Sequence, residues 1–214
     1  AGAAGRGVRR ALTGFPAQGL PGQLAVLTVG GTVTVLRSYE GIEGNTVEIA
    51  GGNVLVISSD DGLNATTTQG TGITVSGGTL YVLAGGDGVD SNSQTQYSGI
   101  LFAGGRSVII STGRADSSID TERGYKYTGG YVVGIGLSGG MGNESTMCQN
   151  FSSVGKKTTL NLASGSYLSV SGIVTVKMPS AMNALVVLLG SMSADISVGG
   201  QISGLDGNGV AWEK

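Results

Sequence analysis

Gly51-Gly52-Asn53-Val54-Leu55-Val56-Ile57-Ser58-Ser59-Asp60-Asp61-Gly62-Leu63-Asn64 is a phrase that the chain repeats with variations. A Gly-Gly pair opens a run rich in β-branched residues, and an acid followed by Gly stands ten residues after the first glycine. The pair recurs as Gly30-Gly31, Gly77-Gly78, Gly104-Gly105 and Gly129-Gly130, at successive intervals of 21, 26, 27 and 25 residues. In two further repeats the acid keeps the same offset of ten, in Glu40-Gly41-Ile42-Glu43 and Asp87-Gly88-Val89-Asp90. A fixed period in the twenties, with one supersecondary unit per repeat, is the signature of a stacked solenoid.

Overlaying the repeats predicts three inward columns. Val47 and Ile49, Ile73 and Val75, Ile100 and Phe102, and Tyr125 and Tyr127 precede the glycine pairs. Val33 and Val35, Val54 and Val56, and Leu80 and Val82 follow them. Both sets alternate with period two, as half-buried strands do. Ile42, Leu63 and Val89 form the third column inside the acidic phrase, and Ile119 continues it three places late. Three short strands per turn give an all-β fold, a right-handed parallel β-helix of about five coils followed by a small antiparallel β cap. The alternative, a β-sandwich with Gly-rich turns, predicts strands every 8–12 residues but not the shared offset. Three segments follow: an arm over 1–19, the β-helix over 20–150 and a β-rich cap over 151–214. In the cap, Thr158–Leu162, Tyr167–Val170, Ile173–Val176, Ala184–Leu189 and Ala194–Val198 read as strands.

Composition narrows the chemistry. The 214 residues include 41 Gly, 40% hydrophobic residues and only 12% charged ones, which a disordered chain would invert. A net charge of −2 gives no footprint for nucleic acid. The chain has no histidine and one cysteine, Cys148, which removes His-dependent triads, His-ligated metals and any intrachain disulfide. Its longest apolar run, Ala184 to Leu189, is far too short for a membrane span. Three sequons begin at Asn64, Asn143 and Asn150, and Asp206-Gly207-Asn208-Gly209 reads as a turn.

The acids carry the functional reading. In a parallel stack Glu40, Asp61 and Asp87 form one column, Glu43, Asn64 and Asp90 another, and Asp60 stands beside them. Rungs lie about 4.8 Å apart, too close for unpaired carboxylates to share without cost. A hard divalent cation, calcium above all, relieves that repulsion with carboxylate, amide and carbonyl oxygens. The alternatives are a solvated acidic turn and a polysaccharide hydrolase or lyase built on Asp60, Asp61 and Asp87, with Arg37 and Arg106 nearby. The second lacks any motif that singles out a base, so the reading is non-catalytic. The seven tyrosines offer sugar-stacking surfaces, although packing in the β-helix accounts for most of them.

Arg37-Ser38-Tyr39-Glu40-Gly41-Ile42-Glu43, Ser58-Ser59-Asp60-Asp61-Gly62-Leu63-Asn64-Ala65 and Gly86-Asp87-Gly88-Val89-Asp90-Ser91-Asn92 resemble the secreted bacterial and archaeal carbohydrate-binding domain-containing proteins. The resemblance runs from about Leu20 to Gly204 and takes in Ser138-Gly139-Gly140-Met141 and Gly199-Gly200-Gln201-Ile202-Ser203-Gly204. It implies a parallel β-helix with calcium at the carboxylate ladder, an acidic, pectin-like polysaccharide as partner, and an extracellular or cell-surface location with the signal peptide removed. This chain departs from the family in having Ser117-Ser118-Ile119-Asp120 at a further acidic turn, and in beginning close to its first acidic coil.

A second expectation comes from the arm. Arg6, Arg9 and Arg10 give its first ten residues three positive charges and no acid. With Leu12 and Phe15 it is suited to add a strand to a neighbouring copy, making a head-to-tail filament.

Overall fold

The computed structural model describes residues 25–137, 147–199 and 204–213. The arm residues Arg6, Arg9, Arg10, Leu12 and Phe15 lie outside that set, as do the Asn143 sequon and Ser138 to Met141. Four full coils stack in parallel. They are β1 (Ala25–Ser38) with β2 (Ile42–Gly44), then β3 (Thr46–Ser58) with β4 (Leu63–Ala65). The third is β5 (Ile73–Val75), β6 (Thr79–Ala84) and β7 (Val89–Ser91); the fourth is β8 (Ile100–Phe102), β9 (Arg106–Ser111) and β10 (Ile119–Thr121). β11 (Lys126–Tyr127) and β12 (Tyr131–Leu137) begin a fifth and do not complete it.

The coil has three faces. The first half of β3 pairs with β5, its second half with β6, and β2, β4, β7 and β10 form a separate four-stranded sheet. The bend between the first two faces is the glycine pair. Gly52 has φ 83°, and a Cβ there would stand 2.6 Å from the Gly31 carbonyl of the coil before, so this corner accepts only glycine. The expected inward columns point inward. Val47, Ile49, Ile73, Val75, Ile100, Phe102 and Tyr125 are buried, as are Val54, Val56, Leu80, Val82, Ile42, Leu63, Val89 and Ile119. Phe102 and Tyr125 meet edge to face, ring centroids 6.1 Å apart. Val33, Val35 and Tyr127 are only partly buried, because each belongs to an end coil with fewer neighbours.

The C-terminal strands do more than cap. β16 (Met182–Leu189) joins β12 antiparallel, and β13 (Gly155–Leu162) joins β16, so both extend the coil's own sheet. Val187, Leu189 and Phe151, the last on a single helical turn Phe151–Val154, close the interior. The other strands, β14 (Tyr167–Val170), β15 (Val174–Lys177), β17 (Ile196–Val198) and β18 (Val210–Trp212), make an antiparallel sheet in the order β17-β14-β15-β18. That sheet lies on the outer side of the second face. Leu168, Val170, Val174 and Val176 pack there against Val108 and Ile110 of β9, Val133 and Ile135 of β12 and Val186 and Leu188 of β16. With both sides covered, β9, β12 and β16 carry near-continuous apolar runs instead of alternation. No helix among the described residues is long and apolar enough to cross a membrane.

Candidate functional site: two files of acids on the third face

Parallel pairing on the third face aligns Ile42, Leu63, Val89 and Ile119, and with them Glu43, Asn64, Asp90 and Asp120. One residue before each of Gly41, Gly62, Gly88 and Ser118 stand Glu40, Asp61, Asp87 and Ser117. The N–H groups of Gly41, Gly62 and Gly88 donate to the carbonyls of Asp61, Asp87 and Ser117 on the next coil. Two files result, Glu40–Asp61–Asp87–Ser117 and Glu43–Asn64–Asp90–Asp120. Asp120 therefore belongs to the site. The sequence sets Ile119 in the column three places late and marks its turn as a departure from the acidic phrase; the chain between β9 and β10 is longer than its counterparts, and the loop absorbs the extra residues before pairing resumes.

The glycine beside each acid is required by close approach. Its φ lies outside the left-handed region. A Cβ on Gly62 would overlap the Val82 side chain and the Gly88 carbonyl, and one on Gly88 would overlap Ile109 and stand 2.6 Å from the Ser118 carbonyl. In the fourth coil Ser118 is tolerated because Gly134 replaces the bulky inward neighbour, being paired in register with Ile109. The tight fit presses the acids against the next rung. Asp61 Oδ1 accepts the Asp87 N–H at 2.8 Å, and Asp87 Oδ1 accepts the Ser117 N–H at 2.5 Å. Each carboxylate thus holds the turn that follows it.

Those bonds do not offset the cost of burying like charges. Asp87 and Asp90 are pushed up to about 7, first by burial and then by neighbouring acids, Asp120 and Asp61 prominent among them. Burial likewise raises Asp61 and Asp120, and it raises Glu40 with Asp61, Asp60 and Glu43 adding to the effect. Charged neighbours acting on these groups are other carboxylates. Asp60 and Asp61 both lean over Gly86, where a Cβ would stand 2.7 Å from an oxygen of each, so the turn brings adjacent acids to one side. Glu40 Oε2 and Asn64 Oδ1 are buried without a hydrogen-bond partner, and the Asn64 amide donates to Asp61 Oδ2 at 3.4 Å. Glu43 is exposed at the open end of its file.

Among the described residues no group of three or more His, Cys, Asp or Glu side chains is placed to hold a metal ion on its own. The files form a ribbon of oxygens in which a hard cation would take one or two carboxylates, an amide or carbonyl oxygen, and external ligands. Arg106 does not reach the files. It sits on the second face with its guanidinium 5.7 Å from the centre of the Trp212 ring. Of the tyrosines only Tyr125 is fully interior, while Tyr39 is 71% exposed beside Glu40. Of the sequons in the described residues, Asn64 is committed to its file and Asn150 is exposed. No family model, curated protein or solved structure matches this chain.

Proposed function

We propose that the chain is a non-catalytic extracellular or cell-surface β-solenoid whose acid files bind calcium and, through it, the carboxylates of an acidic, pectin-like polysaccharide. The observation that carries this reading is the run of half-buried acids on consecutive rungs, Asp61, Asp87, Asp90 and Asp120, with carboxylates for charged neighbours. Glu40, Glu43, Asp60 and Asn64 extend the ribbon. A cation relieves the repulsion, and its unfilled coordination positions are open to a ligand's carboxylates. Direct pairing of an acidic polymer with acidic files is unfavourable, so binding requires the metal. Calorimetric titration of chelator-treated protein with Ca²⁺, followed by polygalacturonate, tests it. Polysaccharide binding that persists in chelator would refute the bridge, and the absence of a Ca²⁺ isotherm would refute the site.

A second reading, head-to-tail assembly of copies, rests on the two ends of the large sheet. Among the described residues the outer side of β1 has no partner strand, and Leu27, Val29 and Leu36 are exposed there. β13 lies at the other end and, two antiparallel steps beyond β12, runs in the direction of β1. β13 carries Lys156 and Lys157, and the first acids that follow β1 are Glu40 and Glu43 of the acid files. The basic arm would strengthen the contact. Negative-stain microscopy of the whole chain, with and without residues 1–19, tests this; dispersed monomers in both preparations would refute it.

A further inference from the structure

Gly30 is a glycine that a single copy of the chain does not require. In later coils the first glycine of each pair faces the rung before it. A Cβ would stand 2.8 Å from the Val29 carbonyl at Gly51, 2.5 Å from the Ala50 carbonyl at Gly77 and 2.7 Å from the Ala103 carbonyl at Gly129. Gly30 holds the same place in β1, yet a Cβ there meets nothing within 4 Å, and its φ lies outside the left-handed region. A further rung laid on β1 would demand it. The rest of the edge agrees. Val26, Val33 and Val35 point inward but are only partly buried, and Leu27, Val29 and Leu36 are exposed. The opposite end of the interior is closed by Val187, Leu189 and Phe151.

We propose that this rung is β1 of a second copy, paired antiparallel across a two-fold axis at Gly30-Gly31. A strand that continues the edge has to bend where β1 bends and keep its inward side chains inward on both sides of the bend. β1 meets both conditions with itself. Its inward residues are Val26 and Thr28 before the corner and Val33 and Val35 after it, aligned with the buried Val47, Ile49, Val54 and Val56. These positions are symmetric about the glycine pair. Antiparallel pairing therefore sets Val26 opposite Val35 and Thr28 opposite Val33 of the second copy, all inward. Outside, Leu27 comes opposite Thr34 of the second copy and diagonal to its Leu36. β13 spans eight residues without a glycine pair, so it matches only one side of the corner. Charge does not oppose the contact. Residues 25–36 carry none, and the rise of the coil keeps Glu40 and Glu43 of the two copies about 10 Å apart, not on neighbouring rungs. The contact is isologous and closes at two copies. It takes up the open edge on which the head-to-tail reading rests and gives it another occupant, so the two exclude each other at β1.

Sedimentation velocity of the whole chain in chelator, over a concentration series, reads the association. The expected result is a reversible dimer, of twice the 21.3 kDa mass of the chain, and no larger species. Gly30→Ala should weaken the dimer by about a hundredfold, because each copy then pushes a methyl into the backbone of the other, while a single chain has room for it. Its circular dichroism should match that of the parent. A second pair of variants reports the register without touching the corner. Leu27→Cys and Thr34→Cys should form a disulfide-linked dimer under mild oxidation when mixed, and neither should do so alone. The native Cys148 is buried and stays out of that reaction. The proposal is overturned if the chain stays monomeric throughout, if Gly30→Ala associates as the parent does, or if the mixed variants do not cross-link. Species that keep growing with concentration would overturn it too, and would return β1 to head-to-tail assembly. Chelator is present throughout, so failure here leaves the calcium reading of the acid files untouched.

Discussion

Removing metal should make this protein less stable as pH rises from 5 to 7.5, the reverse of what paired carboxylates produce. The perturbation is a pH series in chelator. Asp87 and Asp90 move from an ordinary 3.8 to about 7 in the folded chain, so between those values the folded state holds protons that the unfolded state has lost. Stability linked to them is complete below pH 3.8 and is lost as pH passes through about 7. Each pKa unit is worth about 1.4 kcal/mol, which sets a ceiling of about 4 kcal/mol per group. Both side chains are partly solvated, and screening cuts that to about 1–2 kcal/mol each. They also share neighbours, so together they cost about 2–3 kcal/mol. For a chain of this size the full loss is a fall of about 5–10 °C in melting temperature, of which about 60% lies between pH 5 and 7.5. Scanning calorimetry in chelator at pH 5, 6, 7 and 7.5 measures it, and Asp90→Asn with Asp120→Asn should flatten the slope. Calcium at pH 7.5 should restore what deprotonation removes. A melting temperature that is level or rising over this range in chelator would refute the argument, since it would mean that neither burial nor neighbouring acids penalise the charged forms of Asp87 and Asp90.

Other outcomes follow from packing. Gly62→Ala forces a methyl into Val82 and into a backbone carbonyl, so it should cost about 3 kcal/mol or more, whereas Ser118→Gly should cost about 1 kcal/mol or less; chemical denaturation of both variants compares them. Ile110→Ala, on the outer side of the solenoid, should cost about 2–4 kcal/mol because the second sheet buries it completely. A loss within about 0.5 kcal/mol would show the two layers to be undocked. Asp120→Ala should weaken calcium binding in the titration although the residue falls outside the repeated acidic phrase, and unchanged affinity would remove it from the site.

Column membership was legible because a solenoid writes its tertiary contacts into a local period. Residues one turn apart face the same neighbours, so Leu63 and Val89, or Asp61 and Asp87, are constrained alike and look alike. Where the loop length changes, the count breaks. Asp120 rejoins Asp90 through strand pairing, which depends on the stacked backbone and not on the number of residues in between.

The five glycine pairs, the ten-residue offset and the alternating apolar residues determined by themselves that this chain stacks in parallel coils, and which side chains point inward. They did so because each is a local steric or burial requirement repeated at every turn. Only the tertiary structure decided what covers the outside. Val108 and Ile110 of β9 belong to none of the inward columns, and the sheet that buries them is built from residues 167–212, some 60–100 positions later in the chain. It likewise decided that Ser118 replaces a glycine, since the space comes from Gly134 on another strand. Such features depend on two distant segments meeting, and no local pattern in either one specifies the meeting.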